Sequence, residues 1–382
     1  MRTLIIDGNF FGQRVLRALP ELTFKIEPEA EKKEFLKHCC AHLASYLDSQ
    51  RESVDNVVIV KDARSWRREV SIVRPNVTEA KADYKANRDE KLKEEVVDMT
   101  AFFTTLQTFF EQISQIFNVS YTCVSGAEGD DAIWAWSKAL SSVGKYSMIY
   151  CTDSDLNQLV TKSCLLHRQV KTKVAPTGGE VICSKDYWEE KNKDGDIFDT
   201  DCVFWSAENS LVGNRKLGAQ LKIVNPYWGV LKKMFAGDPK DNVPACHIWF
   251  RTVKTTGATQ QCRLTDTMVE TALDNIFVGN WETDESFLYD KSLHEMILRT
   301  VAKMKKLDIN IEQSLKVLES NRKLLYLDKK EIPLELQAKL AQNIKPQLNK
   351  YAKLKQLSST AYLYNAFGLS DTTYFQTFGT ND

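Results

Sequence analysis

Between Tyr121 and Val160 five carboxylates stand at the edges of two regular elements. Ala127-Glu128-Gly129-Asp130-Asp131 opens an apolar helix, and Tyr146 to Cys151 runs as a strand into Thr152-Asp153-Ser154-Asp155. Like charges gathered at one locus repel, and a fold tolerates them only where cations or water separate them. The chain must therefore bring cations to this locus or open it to solvent.

The rest of the sequence adds to that demand. Thr3-Leu4-Ile5-Ile6 is an apolar strand that delivers Asp7, and Asn56-Val57-Val58-Ile59-Val60 is a β-branched strand that delivers Asp62. A helix over Glu29 to Leu47 joins them. Val119 to Val124 is a third strand and Met148 to Cys151 a fourth, so strand and helix alternate. That alternation predicts an α/β fold with a mostly parallel central sheet flanked by helices, whose strand ends converge on one crevice. The helix over Lys93 to Phe117 carries Phe102, Phe103, Leu106, Phe109, Phe110, Ile113 and Phe117 at helical spacing. We read this aromatic stripe as core, not as a platform for bases.

After Leu156 the pattern loosens. Residues 175–180 look like a hairpin turn, and residues 200–230 resist assignment. Leu231 to Ala236 is helical again, before Gly237-Asp238-Pro239-Lys240-Asp241-Asn242-Val243-Pro244. From Lys291 to Gly368 the chain is mainly helical, with polar loops. We place a catalytic domain at 1–245 and a helical C-terminal subdomain at 246–382, with an insertion at about 170–230.

Nine acids end strands or open helices: Asp7, Asp62, Glu128, Asp130, Asp131, Asp153, Asp155, Asp238 and Asp241. None has Cys or His beside it in a ligand-like spacing, and all-oxygen ligation selects hard ions. Two magnesium ions, with manganese able to substitute, fit so many acids; two ions roughly 4 Å apart hydrolyse phosphodiesters. Any one of these acids alone reads as a helix cap or a surface acid. It is their number that points to metal.

Tyr84-Lys85-Ala86-Asn87-Arg88 offers Lys85 and Arg88 to a scissile phosphate and Tyr84 to a base. Alone, this run is also what a solvated helix face looks like. The net charge is zero, yet Lys291 to Lys355 holds 15 Lys/Arg against 7 Asp/Glu and Lys61 to Lys93 holds 10 against 6. A neutral total can hide a basic surface beside an acidic pocket, as an anionic polymer led to metal ions requires. No run of 18 apolar residues occurs, and Asp7 stands where a signal peptide needs apolar length. Nine cysteines without CxxC pairs suit a reducing compartment, so a cytoplasmic location and a monomer are the expectation.

With these motifs in view, the sequence resembles the flap endonuclease/5′ nuclease superfamily. The likeness is carried by Leu4 to Asn9, the strand ending in Asp62, Tyr84 to Arg88, Glu128-Gly129-Asp130-Asp131-Ala132, Thr152 to Leu156 and Gly237 to Pro244. Ser65-Trp66-Arg67-Arg68-Glu69, Asn321 to Asp328 with Ile332-Pro333, and Ala361 to Ser370 bring it nearest the ribonuclease H group of T-even-type tailed phages. The resemblance implies a PIN-like sheet, an arch over the site at about 64–95 and a C-terminal region that grips duplex. It implies a magnesium-dependent 5′-to-3′ exonuclease and flap endonuclease acting on branched or nicked DNA and RNA–DNA duplexes, removing RNA primers in lagging-strand replication. By position, the first seven acids match metal ligands, and Asp238 and Asp241 match those of a second, looser ion. Lys85 and Arg88 match the arch cations, and Tyr84 the stacking tyrosine.

Two departures stand out. After Pro244 the superfamily continues into a Gly-x-Gly helical hairpin that grips duplex, often with potassium, whereas this chain reads Ala245-Cys246-His247-Ile248-Trp249. Arg251, Lys254 and Arg263 offer direct charge instead, beside Arg67 and Arg68 of the arch. The interval from Asp155 to Asp238 is also long. Tyr374, Phe375 and Phe378 suit docking on a sliding clamp or single-strand-binding protein, and equally the packing of a last helix. Two other functions fit less well. An aspartyl phosphatase needs a second acid after the first strand, which Asp7-Gly8-Asn9 lacks. A non-catalytic replication scaffold predicts replaced acids, and none of these positions is replaced.

Overall fold

A computed structural model describes residues 2–25, 28–50, 54–75, 84–85, 96–168, 179–191, 220–253, 255, 257–279 and 281–369. Its centre is β1 (Arg2–Asp7), with Leu4, Ile5 and Ile6 fully buried. β1 pairs in parallel with β2 (Asn56–Val60) on one side and β4 (Tyr146–Tyr150) on the other. β3 (Ser120–Thr122) extends the sheet beyond β2, and β5 (Cys164–Arg168) extends it beyond β4, both in parallel. Then β6 (Glu180–Cys183) runs antiparallel to β5, and β7 (Gln220–Ile223) parallel to β6. The seven strands lie in the order β3-β2-β1-β4-β5-β6-β7, so the mostly parallel α/β sheet read from the sequence is the observed one. β6 and β7 fall where the sequence pattern is least regular.

Alternate strand residues face opposite layers, because the side-chain period of a strand is two. Leu4, Ile6, Val57, Ile59, Met148 and Tyr150 pack on one face against α1 (Gly8–Arg17), α2 (Pro28–Gln50) and α3 (Met99–Phe117). The aromatic stripe of α3 lies in this layer, with Phe102, Phe109, Phe110 and Ile113 buried. Ile5, Val58, Val60 and Ile149 face the other way, onto Ile133, Trp136 and Leu140 of α4 (Gly129–Ser142).

A third core joins α6 (Pro226–Ala236) to α7 (Asp266–Phe277), α8 (Lys291–Lys305) and α9 (Ile311–Leu325), with α5 (Lys185–Lys191) preceding them in the chain. It takes in Val230 and Leu231 of α6 together with Ile297 and Leu298 of α8, so it spans the boundary drawn at residue 245. Beyond it the chain returns to the sheet. Leu336 and Leu340 of α10 (Leu334–Ile344) pack on the α4 layer. Leu357 of α11 (Leu354–Leu357) and Leu363 of α12 (Thr360–Ala366) pack on the α2 layer. Between them the Gln347 side chain closes the sheet edge: Tyr121 N–H donates to its Oε1 at 3.0 Å, and its Nε2 donates to Tyr121 O at 3.0 Å. No helix among the described residues is long and apolar enough to cross a membrane.

Candidate metal centre

Parallel pairing sets the C-terminal ends of β1, β2 and β4 side by side, and each end delivers an acid. Asp7 closes β1 and caps α1, its Oδ1 accepting from Phe10 N–H at 3.0 Å. Asp62 follows β2 and accepts from the Gly129 N–H and from Asn9 Nδ2. Gly129 is needed for that approach, since a Cβ there would stand 2.5 Å from Asp62 Oδ1. Asp130 follows in the first turn of α4, and Asp153 ends the β4 segment, its Oδ1 accepting from Asp155 N–H at 2.9 Å.

Three of these carboxylates, Asp7, Asp62 and Asp130, are raised. Burial pushes the Asp7 carboxyl up to about 7, and the charges of Asp62 and Asp153 add to the rise. Burial, then Asp153, holds Asp130 well above the carboxylate range; burial also raises Asp62, against the pull of Lys85. The crevice is nonetheless open at Asp62 and Asp153, which keep solvent exposure, so an ion can reach them. A crowded, accessible set of oxygen donors that resists ionisation is relieved by a cation.

Glu128 and Asp131 form a capping box on α4, with Glu128 N–H donating to Asp131 Oδ2 at 3.0 Å. Asp131 is fully buried and turned inward, both oxygens already engaged. Arg67 Nη2 donates to Oδ1 at 2.7 Å, while Arg67 Nη1 and Trp66 Nε1 donate to Oδ2 at 3.0 and 3.1 Å. Arg67 also reaches Glu128 Oε2 at 3.1 Å and is 1% exposed. The sequence reading put Asp131 on metal and Arg67 on nucleic acid; the structure places them as a buried ion pair behind the crevice, because each supplies the countercharge that burial at that depth demands. Arg68, one residue on, is half-buried.

Lys85 does face the acids. Its Nζ lies 2.5 Å from Glu128 Oε1 and 3.9 Å from Asp241 Oδ2. Burial opposes its charge, but Glu128 and Asp241 hold its pKa above the ordinary lysine value; the same Lys85, with Arg67, draws Glu128 below the usual range despite burial. Tyr84 is buried, with its hydroxyl 3.4 Å from both Glu128 Oε2 and Asp241 Oδ2. Arg88 and Lys254, most of the arch at 64–95, the core of the insertion and the tail beyond Leu369 lie outside the described residues.

A second cluster adjoins the first. Oxygens of Asp155, Asp238 and Asp241 lie within 4.8 Å of one another. Asp238 and Asp241 are presented by a tight loop in which Asp238 and Val243 exchange backbone hydrogen bonds at 2.9 Å. Gly237 starts the loop at φ +72°, where a Cβ would meet Val243 O at 2.5 Å. Lys233, from the last turn of α6, donates to Asp155 Oδ1 and, at 2.6 Å, to Asp238 Oδ2. Sequence reading missed this residue; its signal was a lysine one turn ahead of Gly237-Asp238. Asp153, Asp155, Lys233, Asp238, Asp241 and Arg263 line a common cleft of about 480 Å³. Arg251 and Arg263 are exposed on a hairpin beside it.

The donor set is all oxygen, and two ammonium groups already sit among it, so the residues fit divalent cations. Among the described residues Asp155, Asp238 and Asp241 bring oxygens within 4.8 Å of one another and would hold one ion as they stand; Asp7, Asp62, Asp130 and Asp153, linked through their charges, are the donors available to a second.

Residues 2–190 match the sequence profile of the 5′-3′ exonuclease N-terminal resolvase-like domain. Among solved structures, the 5′-exonuclease of T5 with divalent metal ions (zinc) bound is similar at 15% identity and a TM-score of 0.50, over 91% of this chain and 100% of that one. A bacteriophage T5 flap endonuclease in a pseudo-enzyme–product complex with DNA and metal ions is 15% identical over 91% of this chain and 99% of that one, at a TM-score of 0.42. The first likeness is one of fold, and the second is too distant to argue from. No curated protein matches the sequence.

Proposed function

The chain belongs to the 5′ nuclease superfamily, whose 5′-3′ exonuclease N-terminal domain it carries over residues 2–190, and on that premise we propose that it is a metal-dependent 5′-to-3′ exonuclease and flap endonuclease. The observation that carries this reading is the acid cluster Asp155, Asp238 and Asp241, with oxygens within 4.8 Å of one another, beside the parallel strand ends that deliver Asp7, Asp62 and Asp153 next to Asp130. Bound divalent ions, magnesium in our reading, supply Lewis-acid activation of water and stabilise the leaving oxygen.

The chain's own groups do the rest. Lys85, held at the rim by Glu128 and Asp241, is placed to meet negative charge growing on a phosphate oxygen. The Tyr84 hydroxyl lies between the same two acids and can donate to either, and stacking on a base requires the ring to leave that buried position. Arg88, outside the described residues, would grip the same phosphate in bidentate fashion. We further propose duplexes with flaps, nicks or RNA primers as substrates, and RNA-primer removal during replication as the role, in line with the likeness to the T-even ribonuclease H group. A sliding clamp or single-strand-binding protein would dock through residues 371–382.

Asp153→Ala and Asp130→Ala are expected to abolish magnesium-dependent cleavage of a 5′-labelled flap while substrate binding in calcium persists. Full activity in either variant defeats the proposal. Comparing a flap, a nicked duplex and an RNA-primed duplex tests the substrate range, and cleavage that spares the RNA primer removes the replication role.

A further inference from the structure

The chain leaves the Asp238–Val243 loop and forms a hairpin that stands clear of the other described elements. Among the described residues β8 (Ile248–Thr252) and β9 (Thr259–Arg263) pair only with each other, antiparallel, with Phe250 opposite Gln261 and Arg251 opposite Gln260. The anchorage is at the base: Cys246 N–H donates to Phe235 O at 2.8 Å, Leu264 N–H donates to His247 O at 3.2 Å, and Cys246 and Leu264 are fully buried. Beyond the base most residues of both strands are exposed, and Phe250 is 62% exposed.

Two features say what covers this ribbon. From Asn242 to Thr265 the sequence contains no acid, while Arg251 and Arg263 both present their charge to solvent. The hairpin is also continuous with the carboxylate cleft, because Arg263 lines that cleft with Asp153, Asp155, Asp238 and Asp241. The register puts Ile248, Phe250, Gln261 and Arg263 on one face. Phe250 therefore stands one pair of residues outward from Arg263, roughly 7 Å at the rise of a strand. Arginine beside an exposed aromatic, on a two-stranded ribbon narrow enough to enter a duplex groove, is the chemistry that recognises a polyanion with stacked bases.

We propose that this hairpin is a nucleic-acid contact of the nuclease, in which Arg263 holds a backbone phosphate beside the cleft and Phe250 stacks on the open face of the first base pair at the duplex junction. The inference rests on the nuclease reading and deepens it, since it assigns the duplex grip to strands. Arg251 is held flat on the other face, its Nε and Nη2 donating to Gln260 Oε1 at 3.1 and 2.9 Å, and lends charge there.

The test uses the full chain in calcium with a flap duplex carrying 2-aminopurine at the first paired base. The parent protein quenches that base. Phe250→Ala is expected to abolish the quenching and weaken binding about tenfold, with the salt dependence unchanged, whereas Phe250→Trp keeps both. Arg263→Ala is expected to lower the slope of log K against log salt by about one. Phe250→Ala binding and quenching like the parent overturns the assignment, as does a loss confined to binding of a protein partner. A parent that cleaves the flap while both hairpin variants are unaltered refutes this inference alone; a parent that neither binds nor cleaves refutes the nuclease reading and this with it.

Discussion

Replacing Arg67 by methionine tests whether the pair behind the crevice is structural. The guanidinium is 1% exposed and makes three charge-assisted hydrogen bonds to carboxylates, at 2.7, 3.0 and 3.1 Å. Methionine fills much of the volume but leaves Asp131, fully buried, without a countercharge, and breaking such a pair from one side costs about 3–5 kcal/mol. Lys85 still neutralises Glu128, which favours the lower end of that range. The assay is urea unfolding followed by far-ultraviolet circular dichroism and tryptophan fluorescence, with coincident transitions required before midpoints are compared. Asp131→Asn is expected to be destabilising alone, and the Arg67→Met/Asp131→Asn double variant to lose about 2 kcal/mol less than the sum of the two, the coupling expected of contacting groups. A loss below about 1 kcal/mol for Arg67→Met, or strict additivity, refutes the buried-pair reasoning and returns both residues to the functional surface.

Lys85→Ala is expected to lower flap turnover by about 100-fold, within the range for loss of one charge-stabilising group, without changing the magnesium concentration needed for half-maximal rate; normal turnover removes Lys85 from the chemistry. The acid cluster also sets a pH dependence. Asp7 has a folded-state pKa of about 7 against an ordinary 3.8, so the folded state binds more protons between those values, and stability in chelator falls as pH rises through about 4 to 7. Thermal melting in chelator should show that decline, and excess magnesium should raise the melting temperature more at the alkaline end, because metal replaces the proton. A melting temperature equally responsive to magnesium at both ends contradicts this.

How far the fold was readable depended on whether a segment's neighbours lay nearby in sequence. β1, β2 and β4 announce themselves through buried apolar runs followed by acids, and helix α4 through the apolar run that Glu128-Gly129-Asp130-Asp131 opens. Arg67 reads as one more cation of a basic stretch, because the acids that bury it lie 61 and 64 residues away. Lys233 likewise reads as a helical surface lysine until α6 is packed against Asp155, 78 residues earlier. β9, Thr-Gln-Gln-Cys-Arg, carries no apolar alternation, since neither of its faces joins a core, and so periodicity cannot find it.

Gln347 meets Tyr121 as a strand would, one donor and one acceptor presented by a single amide. That amide is made 226 residues after its partner. During synthesis, β3 therefore stays an open edge until nearly the whole chain has left the ribosome, and an open edge is a template for pairing with another chain. A product ending between residues 241 and 347 would carry both acid clusters and still expose that edge, so the closing segment governs whether the sheet escapes pairing with another chain during synthesis.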